Sequence, residues 1–301
     1  MDFLIGGLAG AGATIVTNPM DVVKTRMQLQ GELRARGTAP ERYKGIFHAV
    51  YVIAKADGLL ALQRGLAPAM WLGFTMNSVR LGGYHTAISH GWTKDKNGNT
   101  VLLKAMLCSS ISGMLSGLTG NPAFMLKTRI QASAHPSIAV GRQHRYKGLI
   151  DGIRTVYRTE GLKGFFAGVN ATCLRLAVGS AAQLPTFTIA KEYLIARGYL
   201  QNSPMTLAFV ASLGSGVLCV LIETPLDVAN TRLYNQASAA SGKQLYSGVM
   251  DCLTKIYKTE GLHGMYKGLG PLYLRIAPHT TLSLVIWDTL NNVLLGYRKK
   301  S

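Results

Sequence analysis

Asn18-Pro19-Met20-Asp21-Val22-Val23-Lys24-Thr25-Arg26 decides the fold, because it returns twice in altered form. It reappears as Asn121-Pro122-Ala123-Phe124-Met125-Leu126-Lys127-Thr128-Arg129, and again as Thr224-Pro225-Leu226-Asp227-Val228-Ala229-Asn230-Thr231-Arg232. Successive prolines lie 103 residues apart both times. Each copy is followed by Tyr43-Lys44-Gly45, Tyr146-Lys147-Gly148 or Tyr246-Ser247-Gly248. Asp57-Gly58, Glu160-Gly161 or Glu260-Gly261 comes next, and Gly65, Gly168 or Gly268 closes the pattern. Self-similarity at a fixed period marks a repeat architecture in which each unit is one supersecondary block. The 301-residue chain divides into three such units, 1–100, 101–203 and 204–301.

Each unit reads as a long helix, a basic loop carrying a short amphipathic helix, and a second long helix. The odd-numbered long helices are predicted near 3–30, 101–132 and 204–236, the even ones near 66–92, 168–196 and 268–296. All are longer than the roughly 20 residues a tilted membrane span needs. The fold class is therefore an all-α membrane protein of six transmembrane helices, with three short helices between them. Gly6 and Gly10, Ser109 and Gly113, and Ser212 and Gly216 are small pairs four apart upstream of the prolines. Such pairs let helices approach closely in lipid, and their reading is structural. Pro19, Pro122 and Pro225 each remove a helical hydrogen bond, which predicts three kinks at equal depth.

Composition agrees with a membrane. The chain carries 32 Lys and Arg against 14 Asp and Glu, yet it is 48% hydrophobic and only 15% charged. A soluble enzyme seldom has a positive mean hydropathy, here +0.18, and a cationic nucleic-acid binder carries more charge per residue. The long loops hold 16 Lys and Arg and the two short connections 3. That bias places the long loops in the inner compartment and both termini on the other side. Cys108, Cys173, Cys219 and Cys252 have neither metal-ligand nor disulfide-framework spacing, so no metal is expected. No charged leader precedes the first apolar run, so any organelle address is expected to be internal.

The recurring residues resemble the mitochondrial carrier family, whose signature is Pro-x-acidic-x-x-basic-x-basic, then acidic-Gly, then aromatic-basic-Gly, three times over. The resemblance covers essentially the whole chain. It implies a pseudo-threefold barrel of six helices around a central cavity, with three short helices on the matrix side. It also implies alternating access across the mitochondrial inner membrane, no cofactor, and action as a monomer. In that family the acid of one odd helix pairs with the base of the next. Carried over, Asp21 meets Lys127, Asp227 meets Lys24, and Phe124 meets Asn230. Both departures from the motif fall on one pair, so no orphan charge remains. The resemblance thus implies a matrix gate of two ion pairs, braced by Gln28 and Gln131, with Tyr234 in the third bracing position. The opposite gate is weak by the same comparison. Tyr84-His85-x-x-Ile88, Phe187-Thr188-x-x-Lys191 and Trp287-Asp288-x-x-Asn291 each lack part of the aromatic-acidic-x-x-basic pattern, and Asp288 is expected to face Ile88.

The seventh residues after the closing glycines are Leu72, Arg175 and Arg275; eight further on come Arg80, Gln183 and Ser283. Gly73, Asn77 and Arg80 share one helix face, and His279 stands one turn above Arg275. In carriers this level holds the substrate contacts. Three arginines from three helices are expected to converge there with no acid nearby on their faces, which points to a compact dianion held bidentately. Adenine nucleotides fit less well, because no clear aromatic stacking platform stands at this level, Tyr273 being the nearest candidate. Finer likeness is to the oxoglutarate, dicarboxylate, oxaloacetate and uncoupling branch, most of which carries Arg where this chain has Leu72. An oxo acid or another anion with a smaller or apolar second end suits Leu72 better. His279 could couple a proton to substrate, though a hydrogen-bonded core role is commoner.

Other classes fare worse. Gly7, Gly10 and Gly12 do not make Gly-x-Gly-x-x-Gly and follow no strand, so a nucleotide enzyme is not indicated. Nucleic acid is not expected as a partner, because the basic residues belong to the repeat loops. Two rivals to an anion antiporter stand: a proton-leak protein of the uncoupling type, and a carrier fold kept as a non-transporting scaffold. Cardiolipin and other inner-membrane lipids are expected partners at the helix N-termini after Gly45, Gly148 and Gly248 and at the Arg64-Gly65 and Lys267-Gly268 turns.

Overall fold

The computed structural model describes residues 2–34, 41–95, 101–144, 146–198, 204–236 and 244–298. The long helices are α1 (Asp2–Leu29), α3 (Leu66–Ser89), α4 (Leu102–Ala132), α6 (Val169–Ala196), α7 (Pro204–Asn235) and α9 (Leu269–Arg298). The short ones are α2 (Ile46–Asp57), α5 (Leu149–Phe165) and α8 (Val249–Met265), with a 3-10 turn at Leu59–Gln63 before α3. Even the shortest long helix, 24 residues, rises about 36 Å. The helices pack in the order α1, α3, α4, α6, α7, α9, and α9 returns to α1, so the ring is closed.

By length and composition, α4 and the Phe209–Asn235 part of α7 can each cross a membrane; α2 with α3 and α5 with α6 qualify only as bent pairs. That is a sparser apolar signal than six uniform spans predict. Its cause is an inside-out distribution. Ile111, Leu118, Leu218 and Ile222 are exposed on the outer surface, whereas Asp21, Lys127, Arg175 and Asp227 are buried toward the centre. Inward charges dilute the apolar content of the very helices that face lipid on the other side.

Backbone approach fixes the ring at the small residues. A Cβ on Gly113 would stand 2.4 Å from the Leu176 carbonyl oxygen, and one on Gly10 would stand 3.2 Å from the Gly73 carbonyl oxygen. On Gly216 it would meet only side chains, the nearest being Ile276 at an ordinary 3.5 Å, so the close backbone approach is made at the first two pairs and relaxed at the third. Gly6 and Ser212, expected beside them, lie outside the residues whose side chains are described.

The three prolines lie inside α1, α4 and α7, which continue past them to their basic ends. Pro19 frees the Ile15 carbonyl, and Gln63 Nε2 donates to that oxygen at 3.1 Å. Asn18, just before it, donates to the Leu62 and Arg64 carbonyls at 3.4 Å each. Asn121 donates to Phe165 and Ala167 at 2.7 and 3.3 Å. Two odd helices are thus tied to the turns preceding their even partners. Thr224 replaces the third asparagine and bonds its own helix at Val220.

The acidic-Gly block explains itself in the same way. Gly58, Gly161 and Gly261 have φ of 85°, 67° and 69°, and they break each short helix so that the chain can turn. The acid before each glycine receives the second basic residue of the motif. Arg26 reaches Asp57 at 2.9 Å, Arg129 reaches Glu160 at 2.7 Å and Arg232 reaches Glu260 at 2.5 Å. Each of these arginines also donates Nε to the C-terminal turn of the next odd helix: to Gln131 O at 3.2 Å, Tyr234 O at 3.0 Å and Gln28 O at 3.3 Å respectively. Cations there satisfy carbonyls that the helix leaves open. The third clasp returns to the first repeat.

Candidate functional site

The six long helices enclose a cavity of about 500 Å³. One end is shut by the recurring motif. Lys127 Nζ donates to Asp21 Oδ2 at 2.7 Å, and Lys24 Nζ donates to Asp227 Oδ2 at 2.8 Å. Both pairs join the odd helix of one repeat to that of another. Burial makes such a pair costly to break singly, because the survivor keeps its desolvation cost without its partner.

The third position holds Phe124 and Asn230, which have further partners of their own. Phe124 stacks on Tyr234, ring centres 6.2 Å apart, and carries the Arg175 guanidinium 4.9 Å above its ring. Asn230 accepts from Thr172 Oγ1 at 3.3 Å. An aromatic ring without a charge partner thus holds a cation by its face. The bracing residues also divide. Gln28 Nε2 donates to Asp227 Oδ2 at 2.8 Å, beside Lys24. Gln131 bonds Asn18 Oδ1 at 3.0 Å and accepts from Thr25 at 3.1 Å, and Tyr234 donates to Asn121 Oδ1 at 2.6 Å. Where repeat three loses its asparagine to Thr224, the matching glutamine is released to the ion pair.

Above the gate the arginines converge as the spacing predicts. Arg80 from α3, Arg175 from α6 and Arg275 from α9 all line the cavity, with Leu72, Asn77, Gln183 and His279. Their surroundings correct the sequence reading that no acid lies near. Arg275 donates to Asp21 Oδ1 at 2.6 Å, and Arg175 lies 3.7 Å from Asp227 Oδ1. Each gate carboxylate therefore serves a gate lysine through one oxygen and a cavity arginine through the other. Arg80 donates to Gln183 Oε1 at 3.2 Å. A third carboxylate, Glu223 of α7, also lines the cavity. The cations on the wall are Lys24, Lys127 and the three arginines; the carboxylates are Asp21, Asp227 and Glu223. With all three carboxylates ionised, the described wall has two positive charges in excess.

The guanidinium groups keep capacity in reserve. The Nε atoms of Arg80, Arg175 and Arg275 are buried without a hydrogen-bond partner among the described residues. An unmet buried donor costs free energy, so an acceptor placed there is favoured. Other predicted site residues act more as packing. Gly73 faces the Gly10 backbone, Asn77 fills the space over Gly10, and Leu72 Cδ1 would sit 3.2 Å from a Cβ on Gly120. Tyr273 lies near Gly216 on the α7–α9 contact and does not line the cavity.

The far end of the bundle has no comparable lock. Among the described residues no ion pair joins the even-helix ends; Ile88 and Lys191 are exposed, and the side chains of Trp287, Asp288 and Asn291 lie outside the described residues. The Arg64-Gly65 and Lys267-Gly268 turns also hold the ring. Arg64 is engaged by Asp57 and the Ser133 carbonyl, and Lys267 by Glu260 and the Gln30 carbonyl. These two cations help to close the ring.

One loop histidine gives the gate end a pH response. His144 bonds the Asn235 carbonyl at 3.2 Å, and burial, reinforced by the Arg129 charge, pulls its pKa from 6.5 down to about 4. The folded state therefore resists protonation, so its contribution is complete above pH 6.5 and is lost as pH falls toward 4. His144→Gln keeps the donor without the titration. Thermal unfolding of the variant is expected to lose the part of the acid sensitivity that falls in this window, and an unchanged pH profile would refute the assignment.

Fold and site define a class: a three-repeat helical barrel with a polar central cavity, closed at one end by inter-repeat ion pairs. The family profile described as "Mitochondrial carrier protein" matches residues 1–94, 99–198 and 201–298, and the chain belongs to that family. Its members are transporters, and the protein is a multi-pass protein of the mitochondrial inner membrane. Among similar proteins, solute carrier family 25 member 35 of Homo sapiens is 44% identical over 97% of this chain and 98% of its own length. The mitochondrial oxaloacetate transport protein of Saccharomyces cerevisiae is 36% identical over 95% of this chain and 87% of its own. Mitochondrial citrate transporter E of Aspergillus niger is 36% identical over 97% and 93%.

Proposed function

We propose that the protein is a secondary transporter, acting as an antiporter by alternating access on a small anion: oxaloacetate, a dicarboxylate or another oxo acid, or a sulfate- or phosphate-type dianion. One observation carries the reading. Three guanidinium groups from three repeats face one cavity, each with a buried Nε that has no partner among the described residues. Relatives named for oxaloacetate and citrate transport support the class of cargo.

The shared carboxylates suggest how cargo would open the gate. Asp21 binds Lys127 and Arg275 together, and Asp227 binds Lys24 with Arg175 close by. An anion that draws Arg175 and Arg275 to itself takes them off the gate acids. Each gate pair then loses its second cation, and closure weakens only when cargo is present. A ligand shifts such an equilibrium only by its differential affinity for the two states, which the exchange of partners supplies. The basic loops and the gate face the matrix in this reading, with both termini toward the intermembrane space. The protein works as a monomer, with cardiolipin at helix N-termini such as that of α2, where Gly45 offers no side-chain cap.

Reconstitution in liposomes with labelled oxaloacetate, malonate, malate, sulfate and phosphate tests the cargo. Saturable exchange of at least one anion is expected; fatty-acid-activated proton conductance without exchange would favour the uncoupling alternative. Asp21→Ala and Lys127→Ala should each impair exchange, and the double variant should be less impaired than the sum of the two. Full additivity would separate them.

A further inference from the structure

Glu223 is a carboxylate that the threefold frame does not call for. It lies two residues before Pro225, and the positions at the same offset from Pro19 and Pro122 are Thr17 and Gly120. It is 9% exposed and lines the cavity. Its seat against α6 is shaped for it: a Cβ on Gly179 would fall 1.5 Å from Glu223 Oε1. From that seat it faces Arg80 of α3, Arg175 of α6 and Arg275 of α9, with Asp227 and Cys219 on its own helix. Asp227, one turn on, is paired to Lys24 and Arg175, whereas among the described residues no ion pair engages Glu223. Its charge therefore acts on the arginine cluster as a whole without closing a lock.

We infer that Glu223 is a tethered counter-anion that sets the charge of the cargo, fitting the cavity to a dianion rather than a trianion. The proposal rests on the anion-carrier reading and narrows it. With Glu223 ionised, the charges on the wall leave an excess of two, which a dicarboxylate or sulfate-type anion neutralises. Without it, the three guanidinium groups face the cargo with one more uncompensated charge, and a tricarboxylate gains most. Size is a separate matter, because the rest of the wall does not change between these two states.

The test uses the full-length protein, purified in detergent, with malonate and citrate as probes at mildly alkaline pH. Dissociation constants come from the concentration dependence of thermal stabilisation. Glu223→Gln should move the malonate-to-citrate affinity ratio toward citrate by at least about tenfold, while Glu223→Asp should keep the wild-type ratio. Should Glu223→Gln not fold, Glu223→Ala reads the same ratio. A merely structural role would weaken both anions alike and leave the ratio unmoved, and that result overturns the proposal. Wild-type protein that binds neither anion, like a reconstituted carrier that exchanges none, would defeat the anion-carrier reading itself, and the proposal with it.

Discussion

Replacing Arg175 with alanine is expected to lower anion exchange by at least about a hundredfold, with the fold intact. Arg175 is 7% exposed, rests on the Phe124 ring and approaches Asp227. Its loss removes a bidentate donor from the cavity and one cation from the gate. Folding should survive, because Asp227 keeps Lys24 and Gln28, both at 2.8 Å. Arg175→Lys should recover little, since an ammonium restores charge but not the planar fork that matches a carboxylate. Uptake into liposomes and thermal unfolding of the same preparation check the two halves of the claim. Near-wild-type exchange by Arg175→Ala would remove Arg175 from the cargo site.

Arg232→Ala should produce the largest stability loss of any single change at the ring of clasps, about 3–5 kcal/mol. Arg232 is fully buried and holds Glu260 through two bonds of 2.5 and 2.9 Å, while its Nε closes onto Gln28 O. Surrounding groups hold the Glu260 carboxyl below the usual range despite burial, chiefly the bond from Arg232. Removing that arginine leaves a buried acid with one cation, Lys267 at 2.6 Å, and the Leu33 backbone N–H at 3.0 Å. The exposed Lys255–Asp251 pair one helix turn apart is the control, and Lys255→Ala should change stability by no more than about 0.5 kcal/mol. Chemical or thermal unfolding in detergent measures both. Equal effects would mean that the clasp does not carry the ring.

Much of this was legible in the chain because threefold recurrence isolates what the frame needs. The predicted 101–132 helix is Leu102–Ala132, and the Asp21–Lys127 and Lys24–Asp227 contacts are those that the resemblance to the carriers implies. What escaped was whatever one repeat does alone. Glu223 has no counterpart to draw attention to it. The acids beside Arg175 and Arg275 are not legible from any one helix face, because Asp21 and Asp227 arrive from other helices. Phe124 turned from a lost charge into a platform for Arg175, which a motif comparison scores only as an absence. The asparagines before Pro19 and Pro122 were visible as letters, but their bonds to distant turns depend on the tertiary fold.

That last difference has a consequence for how the barrel moves. Asn18 and Asn121 bolt α1 and α4 to the turns ahead of their partner helices, whereas Thr224 spends its hydroxyl within α7. The three staves are therefore hinged unequally. A barrel loosened at its base is expected to give first along the seam between α7 and α9, where among the described residues no such bolt is made. Glu223 and Asp227 ride on one side of that seam and Arg275 on the other. Opening would then begin beside the cargo's own counter-charges, and a symmetric frame would open in an asymmetric order.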